Sequence, residues 1–191
     1  MTSPTRLRVH AEEARSRANG PGARYTVWVQ GCSLGCAGCF NATTHEESGP
    51  AVSVAELADR IRGHATRGDI EGITLSGGEP LQQASAVLEL LATLRSTTDL
   101  SVVLFSGYTR EEIDALPDGP SVLGHLDVLI DGRYEAPRRL GTGLRGSHNQ
   151  RVHLMTGRYS HADIAATPEA EIRIAPDGSF TLSGVAPVKI K

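Results

Sequence analysis

Gly72-Ile73-Thr74-Leu75-Ser76-Gly77-Gly78-Glu79-Pro80 is the stretch that decides the fold. Its first five residues are a short β-branched and apolar run, the signature of a strand buried on both faces. The glycine pair stops that run abruptly, and Pro80 favours the start of a new element. Residues 84–95 then place Val87, Leu88, Leu91 and Leu94 at helical spacing, and Leu100 to Phe105 reads as another strand. Upstream, Ser53-Val54-Ala55-Glu56 has the form of a capping box, followed by Leu57, Ala58, Ile61 and Ala65 on one helical face, with Gly68 as the stop. Residues 23–30 read as a buried strand before it. Thr109-Arg110-Glu111-Glu112 is a second capping box that opens a short helix to Leu116, and Leu126 to Ile130 is a fourth strand.

Strands that alternate with helices of this length predict βαβ units and a parallel sheet. Right-handed crossovers place the C-terminal ends of all its strands on one edge, where ligand sites of such sheets lie. The turns expected at that edge are the segment after residue 30, Ser76-Gly77-Gly78-Glu79-Pro80, Ser106-Gly107-Tyr108 and Asp131-Gly132-Arg133. Four strands are too few for a closed eight-stranded barrel, so an α/β fold with an open, partial βα barrel is predicted. The tail differs. Glu171-Ile172-Arg173-Ile174 and Ser179-Phe180-Thr181-Leu182 alternate around Pro176-Asp177-Gly178, a hairpin signal. Ile172, Ile174, Phe180 and Leu182 are expected to turn inward. We divide the chain into a core of residues 1–156 and an extension of residues 157–191 in the same globule.

Length and composition bound the function classes. At 191 residues one domain is expected. A net charge of −3, from 19 basic and 22 acidic residues, gives no reason to expect a nucleic-acid partner. No apolar run reaches membrane-spanning length. The first residues carry no secretory signal pattern, so a cytoplasmic location is the default expectation.

All three cysteines of the chain, Cys32, Cys36 and Cys39, fall in Gly31-Cys32-Ser33-Leu34-Gly35-Cys36-Ala37-Gly38-Cys39-Phe40. An odd number of thiols in one window argues against a disulfide framework and for metal or redox chemistry. Gly35 and Gly38 permit the sharp turns that let three thiolates converge. A structural zinc site needs a fourth ligand, for which His45 is available. An iron–sulfur cluster held by three cysteines leaves one iron open to a small molecule. The spacing alone leaves both readings standing.

Seen together, these segments resemble the radical S-adenosylmethionine (SAM) proteins, and among them the activating proteins of anaerobic (class III) ribonucleotide reductase. The resemblance runs through Asn19-Gly20-Pro21-Gly22-Ala23-Arg24, Val29-Gln30-Gly31-Cys32, Cys39-Phe40-Asn41, Leu75 to Pro80, Phe105 to Tyr108, Asp127 to Tyr134 and Leu144 to Arg151. It departs at His148, where the family more often has Ser, and from about Gly157 onward, where this chain is longer. The resemblance implies a 4Fe-4S cluster on Cys32, Cys36 and Cys39, with SAM chelating the open iron. One electron then breaks the sulfonium C–S bond, and the 5′-deoxyadenosyl radical abstracts a Cα hydrogen from a glycine of the reductase. It places Ser76, Gly77, Gly78 and Glu79 against the methionine part of SAM. Gly38, Cys39 and Phe40 fall against the adenine, Ser106 at the ribose and Asp131 at the same rim. Arg145, Asn149 and Gln150 would order a lid or meet the partner. A flavodoxin or ferredoxin would supply the electron. A second reading is a radical SAM enzyme acting directly on a peptide or small metabolite. No thiol remains for another cluster, which excludes mechanisms that need one.

Overall fold

A computed structural model describes residues 4–174 and 177–186. Its centre is formed by four parallel strands, β2 (Arg24–Val29), β4 (Gly72–Gly77), β5 (Ser101–Phe105) and β6 (Val128–Asp131). They sit within a seven-stranded mixed sheet of order β3-β1-β2-β4-β5-β6-β9. The added strands, β1 (Arg6–Ser16), β3 (Ala51–Ser53) and β9 (Arg151–Leu154), all pair antiparallel. Sequence reading found the parallel strands and missed these three. In β1 only Leu7 and Val9 alternate with charged residues before the chain turns polar, a run too short to stand out.

The helices α1 (Val54–Thr66), α2 (Ala84–Thr97), α3 (Arg110–Asp114) and α4 (Gly119–Leu123) follow β3, β4 and β5. Strand side chains alternate between faces. Val27, Val29, Ile73, Leu75, Val102 and Leu104 therefore point to the helices. There they form one buried core with Leu57 and Ile61 of α1 and Val87, Leu90, Leu91 and Leu94 of α2. The capping box at Thr109 forms as expected, with Thr109 and Glu112 bonded reciprocally. The one at Ser53 does not. Ser53 is the last residue of β3, paired with Arg6, and the Val54 N–H donates to Thr5 O (3.0 Å) instead. A strand ladder has taken over the task of the cap.

The opposite face of the sheet is polar at one end and apolar at the other. Arg24, Thr26, Trp28, Thr74 and Ser76 occupy β2 and β4, while Val103, Val128 and Ile130 pack under Leu144 and Ile164. The cover there consists of a small hairpin, β7 (Arg139–Thr142) with β8 (Arg145–Ser147), and the helix α5 (His161–Ala165).

The tail forms the expected hairpin, β10 (Ala170–Ile174) paired antiparallel with β11 (Phe180–Gly184). Gly178 takes φ +85°, and Ser179 N donates to Asp177 Oδ1 (2.9 Å). Pro176 of the expected turn lies outside the described residues. The facing of the hairpin is the reverse of the expectation. Ile172 pairs with Leu182 and Ile174 with Phe180, on one face, and these four side chains are 39–76% exposed. The polar face docks. Glu171 Oε2 accepts from Ser16 Oγ and from Arg17 N (both 2.8 Å), and Arg173 pairs with Glu13 (2.9 Å).

Arg24 ties the N-terminal ends of the parallel strands together. It is completely buried. Its Nε donates to Thr74 Oγ1 (2.8 Å), and Nη1 to Pro21 O (2.9 Å) and Ser101 Oγ (3.0 Å). Nη2 donates to the carbonyls of Ile73 and Ser101. Replacing Arg24 with Met strands several buried acceptors, each worth about 1–3 kcal/mol when left unsatisfied. We expect a loss on the order of 3 kcal/mol, which for a chain of this size lowers the thermal midpoint by roughly 6–12 °C. An unchanged midpoint in a thermal scan of Arg24→Met would show that water replaces the guanidinium without penalty.

Candidate functional site

The loops at the C-terminal ends of β2, β4, β5 and β6 converge on one cavity of about 100 Å³. Cys32, Cys36 and Cys39 line it from the first loop, Ser76 to Glu79 from the second, Ser106 and Gly107 from the third, and Gly132 from the fourth. These are the edge and the turns that the βαβ reading singles out. All three thiols are free and partly exposed. Burial pushes the Cys32 and Cys39 thiols above their ordinary range. His45 lines the same cavity, yet among the described residues no three His, Cys, Asp or Glu side chains are grouped to hold a single metal ion.

Main-chain bonds hold the cysteine loop in place. Gly31 N donates to Thr44 O (2.8 Å) and Cys32 N to His45 O (3.0 Å). On its other side Gly78 N donates to Val29 O (2.8 Å) and Glu79 N to Gly31 O (2.9 Å). The glycine pair is therefore a packing requirement. Gly77 adopts φ +101°, a conformation in which a side chain is strained. A Cβ on Gly78 would lie 2.3 Å from Gly31 O. Gly38 takes φ +72°, and a Cβ there would meet Ala136 at 2.9 Å.

Glu79 is the buried acid of the site, 1% exposed. Its Oε1 accepts from Leu81 N and Ser106 Oγ (both 2.9 Å), and its Oε2 from Gly107 N (2.7 Å). Burial pushes its carboxyl up to about 7, against the pull of those donors. The Ser106 hydroxyl is thus committed to Glu79. Asp131 is placed differently from the other predicted residues and does not line the cavity. Its carboxylate accepts from Arg110 N (2.6 Å) and from Arg151 (2.6 and 3.1 Å). Phe40 is at the rim, 44% exposed, with its ring edge-on to Tyr134 at 5.1 Å. Gln150 lines the cavity and bonds Gly146 N (2.7 Å) and Gly132 O (2.9 Å), while Asn149 donates to Arg133 O (2.7 Å). Arg145 belongs to β8.

Sequence reading missed Gln82 and Gln83, although both lie within three residues of Pro80. Gln82 receives Ser33 N (3.0 Å) and donates to Ser33 Oγ (2.6 Å), which clips the cysteine loop to the segment after the glycine turn. Gln83 receives Arg8 N (2.8 Å) and donates to Gln30 O (3.1 Å). Leu34 and Tyr134 also line the cavity. Nothing in their residue types singles them out, because their roles come from contacts across loops.

A family described as "4Fe-4S single cluster domain" matches residues 18–153. An anaerobic ribonucleoside-triphosphate reductase-activating protein of Vibrio cholerae is 37% identical over 144 residues, covering 72% of this chain and 92% of that relative. The protein of the same name from Enterobacteria phage T4 is 32% identical over 147 residues (75% and 92%), and that from Escherichia coli K12 is 33% identical over 141 residues (71% and 90%). The chain belongs to this family of activating proteins. The cysteine loop, the Gly77-Gly78 turn, Ser106, Asp131 and Gln150 all fall inside the stretch that matches the 4Fe-4S domain, whereas β10 and β11 lie beyond it.

Two outcomes test this geometry. Gly78→Val must push Gly31 and with it the cysteine loop. We expect folded protein with less than half the iron and sulfide of the parent after anaerobic reconstitution. Full loading would show that the loop shifts freely. The second concerns Glu79, whose folded value near 7 stands above the ordinary 4.5. The stability that this group contributes is therefore present below about 4.5 and is lost as pH rises through about 7. Without SAM, the thermal midpoint of the parent relative to Glu79→Gln should fall between pH 5 and pH 8. A difference that is flat across that range would mean that the carboxyl is already ionised.

Proposed function

We propose that this activating protein is a radical SAM enzyme, that Cys32, Cys36 and Cys39 hold a 4Fe-4S cluster, and that its target is a glycine of an anaerobic ribonucleotide reductase. The observation that carries this reading is the convergence of three free thiols, a Gly-Gly-Glu turn and the Ser106-Gly107 turn on one cavity. The donor set fits the group, since thiolates are the ligands that iron–sulfur clusters take. The nearby positive charge of iron would hold as thiolates two thiols that burial alone keeps protonated. When bound, the cluster supplies the electron that cleaves SAM, and the resulting 5′-deoxyadenosyl radical takes the hydrogen.

The residues of the chain bind and orient. Ser76, Gly77, Gly78 and Glu79 line the cavity, and the backbone carbonyls and the Glu79 carboxylate there would be the acceptors for the amino group of SAM. Gly38, Cys39 and Phe40 form the wall for the adenine, a flat π-system suited to aromatic contact. Ser106 acts through Glu79, whose oxygens it helps to aim. Asp131 acts as a positioning residue by fixing Arg110 and Arg151, and Gln150 fixes the lid over the cavity. Glu79, buried at the wall of the cavity, would help to keep water from the reacting centre. In this reading the four parallel strands of the mixed sheet would serve as a partial barrel, with room for a partner's loop at their C-terminal ends. A flavodoxin or ferredoxin in the cytoplasm is the electron donor in this reading.

The test is anaerobic. Protein with reconstituted cluster, SAM and a low-potential reductant is mixed with the anaerobic ribonucleotide reductase of the same organism. A glycyl radical detected by electron paramagnetic resonance is expected, and none with Cys32→Ala, Cys36→Ala or Cys39→Ala. One equivalent of zinc in anaerobically purified protein would overturn the cluster. Fast SAM-dependent turnover of a small metabolite, with no radical on the reductase, would overturn the target.

A further inference from the structure

A second cavity of about 250 Å³ adjoins the first. The two share Phe40, Asn41, Ser76 and Phe105, so a ligand in one reaches the rim of the other. The inner wall of the second cavity is the polar face of the sheet, with Trp28 of β2 and His10 of β1, and its flank is the 43–44 turn. Its outer wall is Thr181 to Val185, the second strand of the tail hairpin and the residue after it. That wall is fixed in place. Glu171 and Arg173 dock the hairpin on β1, and Gly184 is packed so closely that a Cβ would lie 2.4 Å from Glu169 O.

The lining defines the occupant. Among the described residues it contains no Asp, Glu, Lys or Arg, and His10 is the one titratable side chain. A phosphorylated or carboxylated metabolite would find no permanent counter-charge on those residues, and burying an unpaired charge is strongly unfavourable. Asn19, Asn41, Thr43, Thr44, Thr181 and Ser183 offer neutral donors and acceptors beside the Trp28 and Phe105 rings. Uncharged amide-bearing chain satisfies such groups. The volume falls just below the ~300–1,000 Å³ range of ligand clefts, which suits a short segment with small side chains.

We propose that the β10–β11 hairpin completes the substrate cleft, so that a short, neutral, glycine-bearing segment of the partner enters between Thr181–Val185 and the Asn41–Thr44 turn to reach the first cavity. This rests on the reading of the chain as an activase and adds the path, the wall and the neutrality of the segment. Of the exposed apolar side chains of the hairpin, Ile172, Ile174 and Phe180 do not line this cleft, whereas Leu182 belongs to its outer wall.

Three full-length proteins with their clusters separate the possibilities. Thr181→Trp fills the cleft, while Ile174→Ser with Phe180→Ser changes only the outer face. With the reductase as substrate, we expect Thr181→Trp to lower the ratio of glycyl radical formed to SAM cleaved at least ten-fold. The outer-face variant should stay within two-fold of the parent. Equal ratios in Thr181→Trp and the parent would overturn the proposal, as would a loss confined to the outer-face variant. Failure of the parent to cleave SAM would instead count against the activase reading, so a readout independent of chemistry is added. Binding of the reductase should slow amide hydrogen exchange in residues 41–44 and 181–185. Complex formation without protection in either segment overturns the cleft whatever the reaction.

Discussion

The carboxyl of Glu79 is the constraint on which the site depends. It is almost fully buried, and its oxygens gather donors from two different loops, Leu81 N–H from its own turn and Ser106 Oγ–H and Gly107 N–H from the end of β5. Main-chain bonds already join the loops after β2 and β4, Gly78 N to Val29 O and Glu79 N to Gly31 O. A buried acid that accepts from both its own turn and the end of β5 extends that link to the third strand. Its cost is visible in the carboxyl's rise to about 7, where burial outweighs three hydrogen bonds. A cationic group in the cavity would reverse that balance. In the proposed reading that cation is the amino group of SAM.

Arg24 plays the corresponding part at the other end of the same strands. Its fork reaches carbonyls of β4 and β5 and the loop that precedes β2. Between Arg24 and Glu79 the inward-facing positions of β2 and β4 remain polar or aromatic: Thr26, Trp28, Thr74 and Ser76. An ordinary two-layer α/β protein would cover that face with helices and make it apolar. Here the helices α1 and α2 cover only one face, and the polar part of the other lines a cavity. The division of labour between the faces follows from the period of two in each strand.

This explains what the sequence made legible. Short β-branched runs that end in glycine are local signals, so β2, β4, β5 and β6 and the loops after them could be read directly. The thiols, the Gly77-Gly78 turn and Glu79 could be read for the same reason, each lying where a strand must stop. The antiparallel additions could not. β3 is three residues long, and β9 is recognised only by its pairing with β6. The Ser53 capping box misled because the same residue also had a place in the sheet, and the ladder claimed it. Asp131 misled in a related way. Its position at a strand end was correct, but Arg110 and Arg151 come from elements whose placement no local pattern reveals.

The tail hairpin shows the same limit in its sharpest form. Alternation proves that one face is apolar, and a period of two then leaves two choices that differ by a single flip. Burial of Ile172, Ile174, Phe180 and Leu182 was the expected choice. The structure takes the other, because Glu171, Arg173 and Ser183 find partners on β1 and in the turn after it that water would otherwise have to supply. Ser16 illustrates the stakes. It is fully buried, and its hydroxyl serves Glu171, Asn19 and Ala18 at once. An apolar hairpin face laid against it would strand that hydroxyl and the carboxylate of Glu13. The polar rim of the sheet therefore selects the polar face of the hairpin. That selection sets Thr181 and Ser183 along the cavity beside Phe40 and Ser76, and leaves the apolar ribbon on the outside.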